Sequence, residues 1–294
     1  MIFNIPNKIK EQNFPKSALY VLATPIGNMY DITLRALYVL SISDTIVCEN
    51  IKQIKKLLNF YKLKKNLITL HKFNEKKNIN FIIKRLINNE RISLVSNSGT
   101  PTISDPGYKL IKYIYKYKFK IIPIPGVSAV ITALSVSGLN NKQFKFIGFL
   151  PKEKKEKEKI LQNLKNEKII LVFYETPHRI KKTIKLFIKF FNNETSIIFA
   201  KELTKIFENI YKCKLKKALS WIKKNKYNQK GEFVILLNSV IIKKKEEKYK
   251  NILKILFKEL TFKKLINITY NITKNKKKDI YKYAINLKNN FKKK

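Results

Sequence analysis

The sequence predicts an α/β protein. An N-terminal α/β domain with a mostly parallel sheet is followed by a second α/β domain with a mixed sheet, then by a small helical module with helix-turn-helix-like spacing. Three observations carry this reading. The 294 residues correspond to about two domains, and a hydrophobic content of 45% is enough for sizeable cores. Short apolar runs alternate with amphipathic runs through the first part of the chain. From Lys243 onward glycine and proline vanish while apolar residues keep recurring.

The elements follow in order. Residues 1–17 read as a basic N-terminal tail, 18–124 as the first domain, 125–240 as the second and 241–294 as a lysine-rich helical module. In the first domain, Ala18–Ala23, Thr45–Glu49, Leu67–Leu70, Arg91–Ser96 and Lys120–Ile124 are nearly all apolar, as parallel strands covered on both faces should be. Between them, helices are expected from Asp31, as cap, to about Ser41, then over Ile51–Phe60, Lys76–Asn88 and Gly107–Tyr117. Ser128 is placed to cap a helix ending before Gly138. Strands at Phe144–Leu150, Lys168–Tyr174, Thr195–Ala200, Ile206–Cys213 and Glu232–Asn238 build the second domain, with helices at Lys154–Asn166, Pro177–Phe190 and Lys214–Lys224. Tyr249–Leu260, Phe262–Tyr270 and Lys276–Leu287 read as the three helices of the terminal module.

Composition narrows the function. The net charge is +43, yet lysines number 59 against four arginines, and Asn, Ile, Phe and Tyr are abundant while Gly and Ala are scarce. AT-rich codons produce that profile, so the charge favours a polyanionic partner only modestly. Two distant cysteines, Cys48 and Cys213, and two histidines, His71 and His178, offer neither a disulfide framework nor a metal site. A reducing cytoplasm fits. The N-terminus lacks the apolar core of a signal peptide. The uncharged run Ile121–Leu139 is interrupted by Pro123, Pro125 and Gly126, so it reads as strand, turn and short helix rather than a membrane span.

The chemistry concentrates in loops. The chain has only seven glycines, and four lie in three strand-end loops: Ala23–Asn28, Ser96–Gly107 and Pro125–Ala129. In an open parallel sheet, ligands bind beyond the carboxyl ends of strands. Glycine there permits close backbone approach. No GxxxxGK[ST] or GxGxxG stretch occurs, so neither a P-loop nor a dinucleotide fingerprint is present. Hydroxyls, exposed backbone and one carboxylate suit a small zwitterion better than a pyrophosphate.

Those loops, with Gly148-Phe149-Leu150-Pro151, Phe173–Arg179, Ala200–Lys205 and Lys230-Gly231-Glu232, follow one another in an order and spacing that resembles the small-subunit ribosomal RNA methyltransferase I family. That family sits in the tetrapyrrole-methylase-like class of S-adenosylmethionine enzymes. The likeness covers roughly Ala18 to Asn238, and Lys276–Leu287 resembles the family's C-terminal helix-turn-helix. The resemblance implies two α/β domains with S-adenosyl-L-methionine in the cleft between them and a homodimer. It also implies 2′-O-methylation of a cytidine ribose in the decoding region of 16S rRNA.

Carried onto this chain, the resemblance makes Pro25, Gly27, Asn28, Ser98, Gly99, Thr100, Pro101, Asp105, Gly107, Gly126, Ser128, Ala129, Tyr174, Ala200 and Glu232 the cofactor-binding candidates. Tyr174, Ala200 and Glu232 would face the adenosine, with Tyr174 also able to steady a sulfonium through its ring. The helix N-terminus after Ser128 would suit the cofactor carboxylate. The pool for a general base is Glu49, Asp105, Glu175, Lys201, Glu202 and Lys230; none is singled out. Arg179, Lys230, Lys274, Lys276, Lys277 and Lys278 are the expected RNA contacts. The chain departs from the family twice. It reads Glu49-Asn50-Ile51-Lys52 where Glu-Asp-Thr-Arg is usual, and Asn97 stands where the family has Asp. Two alternatives stay open: the same fold acting on a tetrapyrrole or other small acceptor, and an inert RNA-binding relative.

Overall fold

Residues 4–71, 74–140, 142–238, 245–257 and 259–292 are described by a computed structural model of the chain. A short helix α1 (Asn7–Lys10) precedes the first sheet. Its flanking residues Ile5 and Phe14 are buried against the core, so this segment is more than a basic tail.

Strands β1 (Ala18–Leu22), β2 (Thr45–Cys48), β3 (Asn66–Thr69), β4 (Arg91–Val95) and β5 (Lys120–Ile124) pair in the order β3-β2-β4-β1-β5. Every pairing is parallel. Helices α2 (Leu34–Ile42), α3 (Ile51–Phe60), α4 (Glu75–Ile87) and α5 (Tyr108–Lys116) form the crossovers. Alternate strand residues feed two cores. Tyr20, Leu22 and Ile46 pack with α2 and α3, while Leu19, Val47 and Leu94 pack with α4 and α5. Burial on both faces is why these strands read as continuous apolar runs. One cap differs from expectation. Thr33, extended and directly before Leu34, accepts from Ala36 N at 3.0 Å; Asp31 lies too far upstream to reach that turn.

The second sheet contains β6 (Phe144–Phe149), β7 (Ile170–Glu175), β8 (Ser196–Lys201), β9 (Asn209–Lys214) and β10 (Phe233–Asn238), in the order β6-β7-β10-β8-β9. β6 and β7 are parallel and the other pairs antiparallel, so the sheet is mixed as predicted. One face is covered by α7 (Lys154–Leu164), α8 (Ile180–Phe190) and α9 (Leu215–Lys224), with Phe173, Phe187 and Phe199 at the centre. The other face packs against α6 (Ala129–Ser135), Ile26 and Leu203. Ser128 holds the N-cap position of α6, but its hydroxyl makes no cap bond.

Both sheets belong to one compact unit, residues 1–240; residues 241–294 form another. In the latter, α10 (Lys245–Leu256), α11 (Phe262–Thr273) and α12 (Lys277–Lys292) enclose Leu253, Leu265, Ile280 and Ala284. Lys274 turns the chain after α11 with φ of 50°, and α12 extends past the expected Leu287 because no breaker residue stops it. Among the described residues no helix is long and apolar enough to cross a membrane, and Ile121–Leu139 divides into β5, a turn and α6.

Candidate active site

The order of the first sheet sets the site. β4, β1 and β5 are neighbours, so the loops after them stand side by side at one sheet edge. They are also bonded together. Thr24 and Gly99 exchange backbone hydrogen bonds of 2.9 and 3.0 Å, and the Thr24 hydroxyl donates to Ser96 O at 3.2 Å. Ala23 N donates to Ile124 O at 3.3 Å, and the Thr100 hydroxyl to Val127 O at 3.3 Å. A Cβ on Gly126 would lie 2.9 Å from Ala23 Cβ, so a side chain there would push the first and third loops apart.

The second sheet supplies the opposite wall. β10 runs antiparallel to both β7 and β8, with Val234 opposite Tyr174 on one side and Ala200 on the other. That row shares one face. By strand alternation the neighbouring Lys201 turns away. Its ammonium donates to Tyr227 O at 2.7 Å and does not line the cavity.

Between the two walls is a cavity of about 440 Å³. Of the expected cofactor residues, Ser98, Gly99, Thr100, Asp105, Ser128, Ala129, Tyr174, Ala200 and Glu232 line it. Pro25, Gly27, Asn28, Pro101, Gly107 and Gly126 do not; they shape the loops one layer behind. At Gly27, a Cβ would meet Lys205 Cγ at 2.5 Å, and Asn28 N donates to the Thr204 hydroxyl at 3.0 Å, joining the first loop to the segment after β8. Ile26, Ile103, Leu203 and Val234 also line the cavity, unmarked in sequence because apolar residues carry no chemical signature. Phe149, of the Gly148-Phe149-Leu150-Pro151 stretch, also lines the cavity, and its ring and that of Phe146 flank Tyr174 at 5.4 and 5.1 Å.

The carboxylates separate by environment. Glu175 is 2% exposed and edges the cavity, but its oxygens accept from the Thr183 hydroxyl at 2.5 Å and Thr176 N at 2.9 Å, with Arg179 Nε 3.2 Å away. Arg179 also donates to the carbonyls of Leu150 and Pro151. Both side chains are therefore committed to joining β6, β7 and α8, which leaves Arg179 facing its own chain rather than a phosphate. Glu202 accepts from Glu232 N at 2.7 Å and Lys205 Nζ at 3.1 Å. Burial pushes its carboxyl upward, but these donors outweigh it and the net shift is downward. Lys205 also reaches Glu232 Oε2 at 2.8 Å.

Asp105 behaves differently. Burial, aided by the nearby charge of Glu49, pushes its carboxyl up to about 6. Tyr174 is pushed up to about 12, chiefly by burial and then by Asp105. Glu49 lies outside the cavity and accepts from Asn97 Nδ2 at 2.8 Å. Asn97 itself lines the cavity, and its buried Oδ1 lacks a partner. Lys230 is exposed beside the rim residue Glu232 and lies over the Tyr227 ring at 5.5 Å. Lys274, Lys276, Lys277 and Lys278 are exposed on the helical unit, two of them over Tyr270 at 5.7 and 4.8 Å.

A family model for tetrapyrrole (corrin/porphyrin) methylases matches residues 18–219, which span the strand-end loops and most of the second sheet. The chain belongs to the tetrapyrrole methylase family. This methylase is 43% identical over 270 residues to the ribosomal RNA small subunit methyltransferase I of Buchnera aphidicola subsp. Acyrthosiphon pisum, covering 91% of this chain and 96% of that one. It is 35% identical to the protein of that name from Escherichia coli O157:H7, covering 91% and 94%. It therefore also belongs to the ribosomal RNA small subunit methyltransferase I family. Among solved structures, a cobalt precorrin-4 methyltransferase of cobalamin biosynthesis matches with a TM-score of 0.57 at 18% identity, covering 76% of this chain and 95% of that one. At that identity the match establishes the fold of the methylase alone.

The residues present fit S-adenosylmethionine. The cavity volume falls within the usual range for small-ligand sites. Its walls mix apolar side chains with hydroxyls and carboxylates, and the orphaned Asn97 Oδ1 calls for a donor such as an amino group.

Proposed function

We propose that this protein transfers a methyl group from S-adenosyl-L-methionine to the ribose 2′-oxygen of a cytidine in the decoding region of 16S ribosomal RNA, acting in the cytoplasm as a homodimer. The observation that carries this reading is family membership across 91% of the chain together with one cavity that gathers nine of the cofactor candidates. A tetrapyrrole acceptor is disfavoured because the match to a relative bearing the ribosomal name reaches into the C-terminal helical unit, whereas the family model stops at residue 219.

Bound S-adenosylmethionine supplies an electrophilic methyl group on a sulfonium centre. Ser98, Gly99, Thr100, Ser128 and Glu232, which line the cavity, would hold it by hydrogen bonding. Ile26, Leu203 and Val234 exclude water, and Tyr174, neutral at physiological pH, walls the cavity beside Asp105. Alignment of donor and acceptor contributes several kcal/mol, up to about 7–11 in the best cases. Asp105 is the base. Burial pushes its carboxyl up to about 6, while the other cavity carboxylates, Glu175, Glu202 and Glu232, are held by internal donors. The Asp105 carboxylate oxygen would accept the proton of the ribose 2′-hydroxyl, a contribution of about 10²–10⁴-fold. Lys230 and the lysines of the helical unit contact phosphate.

Ribose-methylation mapping of 16S RNA after incubation with the protein and labelled cofactor tests this. One new 2′-O-methylcytidine in the decoding region is expected. Labelling of a porphyrinogen instead, or of neither substrate despite cofactor binding, would overturn the assignment.

A further inference from the structure

α5 begins at the loop that lines the cavity. Tyr108 is 69% exposed, Tyr115 68% and Tyr117 51%, and Tyr113 is also exposed. The chain has 15 tyrosines, and of the seven exposed among the described residues these four lie on α5 or directly after it. At about 100° per residue, Tyr108, Lys112 and Tyr115 fall on one stripe with Lys116 beside it. Leu110 and Ile114 occupy the opposite, buried side. The helical rise separates the two outer tyrosines by about 10 Å, room for two or so stacked bases. No acidic residue occurs between Asp105 and Glu153, so nothing on this segment neutralises its lysines. A lysine-rich composition explains cations on any exposed face. AT-rich codons supply tyrosines as well, but they do not gather four of the seven exposed ones on α5 and the residue after it.

We propose that the Tyr108–Lys112–Tyr115 stripe of α5 is a track for single-stranded RNA, on which the tyrosines stack bases and Lys112 and Lys116 neutralise phosphates. Interleaved aromatic and cationic side chains are the recognition chemistry of unpaired strands, because every base offers a π-face. The stripe starts three residues after Asp105, so a strand lying on it leads to the cavity mouth. The inference rests on the RNA-methylation reading only for which RNA is bound.

The test uses the full chain and a fluorescein-labelled oligocytidylate of about 12 nucleotides. The double variant Tyr108→Ala/Tyr115→Ala is expected to bind it at least tenfold more weakly, while Tyr108→Phe/Tyr115→Phe keeps near-native affinity. S-adenosylmethionine binding by calorimetry stays unchanged in both. Lys112→Gln/Lys116→Gln should reduce the slope of log affinity against log salt by about 1.4. Native affinity in the double alanine variant overturns the track, as does a change in sedimentation without a change in RNA binding, which would mark the stripe as a protein interface. If native protein leaves 16S RNA unmethylated yet the oligonucleotide results hold, the substrate reading fails and the track stands.

Discussion

Asn97 donates its side-chain amide to Glu49 Oε2 at 2.8 Å, tying the end of β2 to the loop after β4, and the Glu49 charge acts on Asp105 of that loop. The family resemblance implies an acid at position 97. In this chain an amide neutralises nothing but satisfies Glu49, so two carboxylates rather than three share the region. Asn97→Asp would add a like charge and move the titration of Asp105 above about 6. Glu49→Gln keeps an acceptor for Asn97, removes the charge and moves it down. The acid limb of the pH–rate profile should shift in those opposite directions.

Asp105 also links pH to activity and to stability. As the proposed base it works ionised, so turnover should rise with pH through about 6, and Asp105→Asn should remove that limb with a loss of about 10²-fold or more. The stability sign is the reverse. A carboxyl whose folded titration point is raised contributes stability fully below its unfolded value near 3.8, and loses it as pH rises through about 6. Asp105→Asn should therefore unfold at higher denaturant than the native protein at pH 8, by about 1 kcal/mol after solvent screening, with the difference gone below about pH 3.

Gly231 has φ of +87°, and a Cβ there would come within 2.4 Å of Glu202 Cγ. Gly231→Ala is expected to displace Glu202 from Glu232 N, opening the cavity rim. About 1–3 kcal/mol of stability and roughly tenfold in cofactor affinity should be lost. Calorimetry and chemical denaturation measure the two effects separately.

Glu175 and Arg179 should report folding rather than chemistry. Arg179→Ala strands a nearly fully buried carboxylate, at a cost of about 3–5 kcal/mol. The melting temperature should fall sharply, whereas the RNA-binding salt slope should not change, because the guanidinium is engaged by its own chain.

In the helical unit, replacing Lys276, Lys277 and Lys278 together by glutamine should lower the salt slope for RNA binding by about 2. Cofactor affinity should not change.

Alternation of apolar and amphipathic runs was legible without a structure, and strand ends fell within a residue or three of expectation. Apolar residues along β1, β2 and β4 had to face helices on both sides, and no distant information is needed to see that. The Ser96–Gly107 loop was legible too, since glycine and proline are scarce and local steric demands write themselves into local sequence. The cap of α2 is Thr33 rather than Asp31; both offer oxygens, and only the backbone path decides between them.

The sequence by itself therefore determined the α/β class, the positions of the strand-end loops and the pool of candidate acids. Only the tertiary structure decided which acids meet the cavity. That choice depends on partners on other elements: Glu175 takes Thr183 of α8, Glu202 takes the backbone of Glu232, and Lys201 takes Tyr227 O on the far side of its strand. A carboxylate's chemistry is set by its burial and its neighbours' charges, and both arise from contacts between segments that no local pattern records.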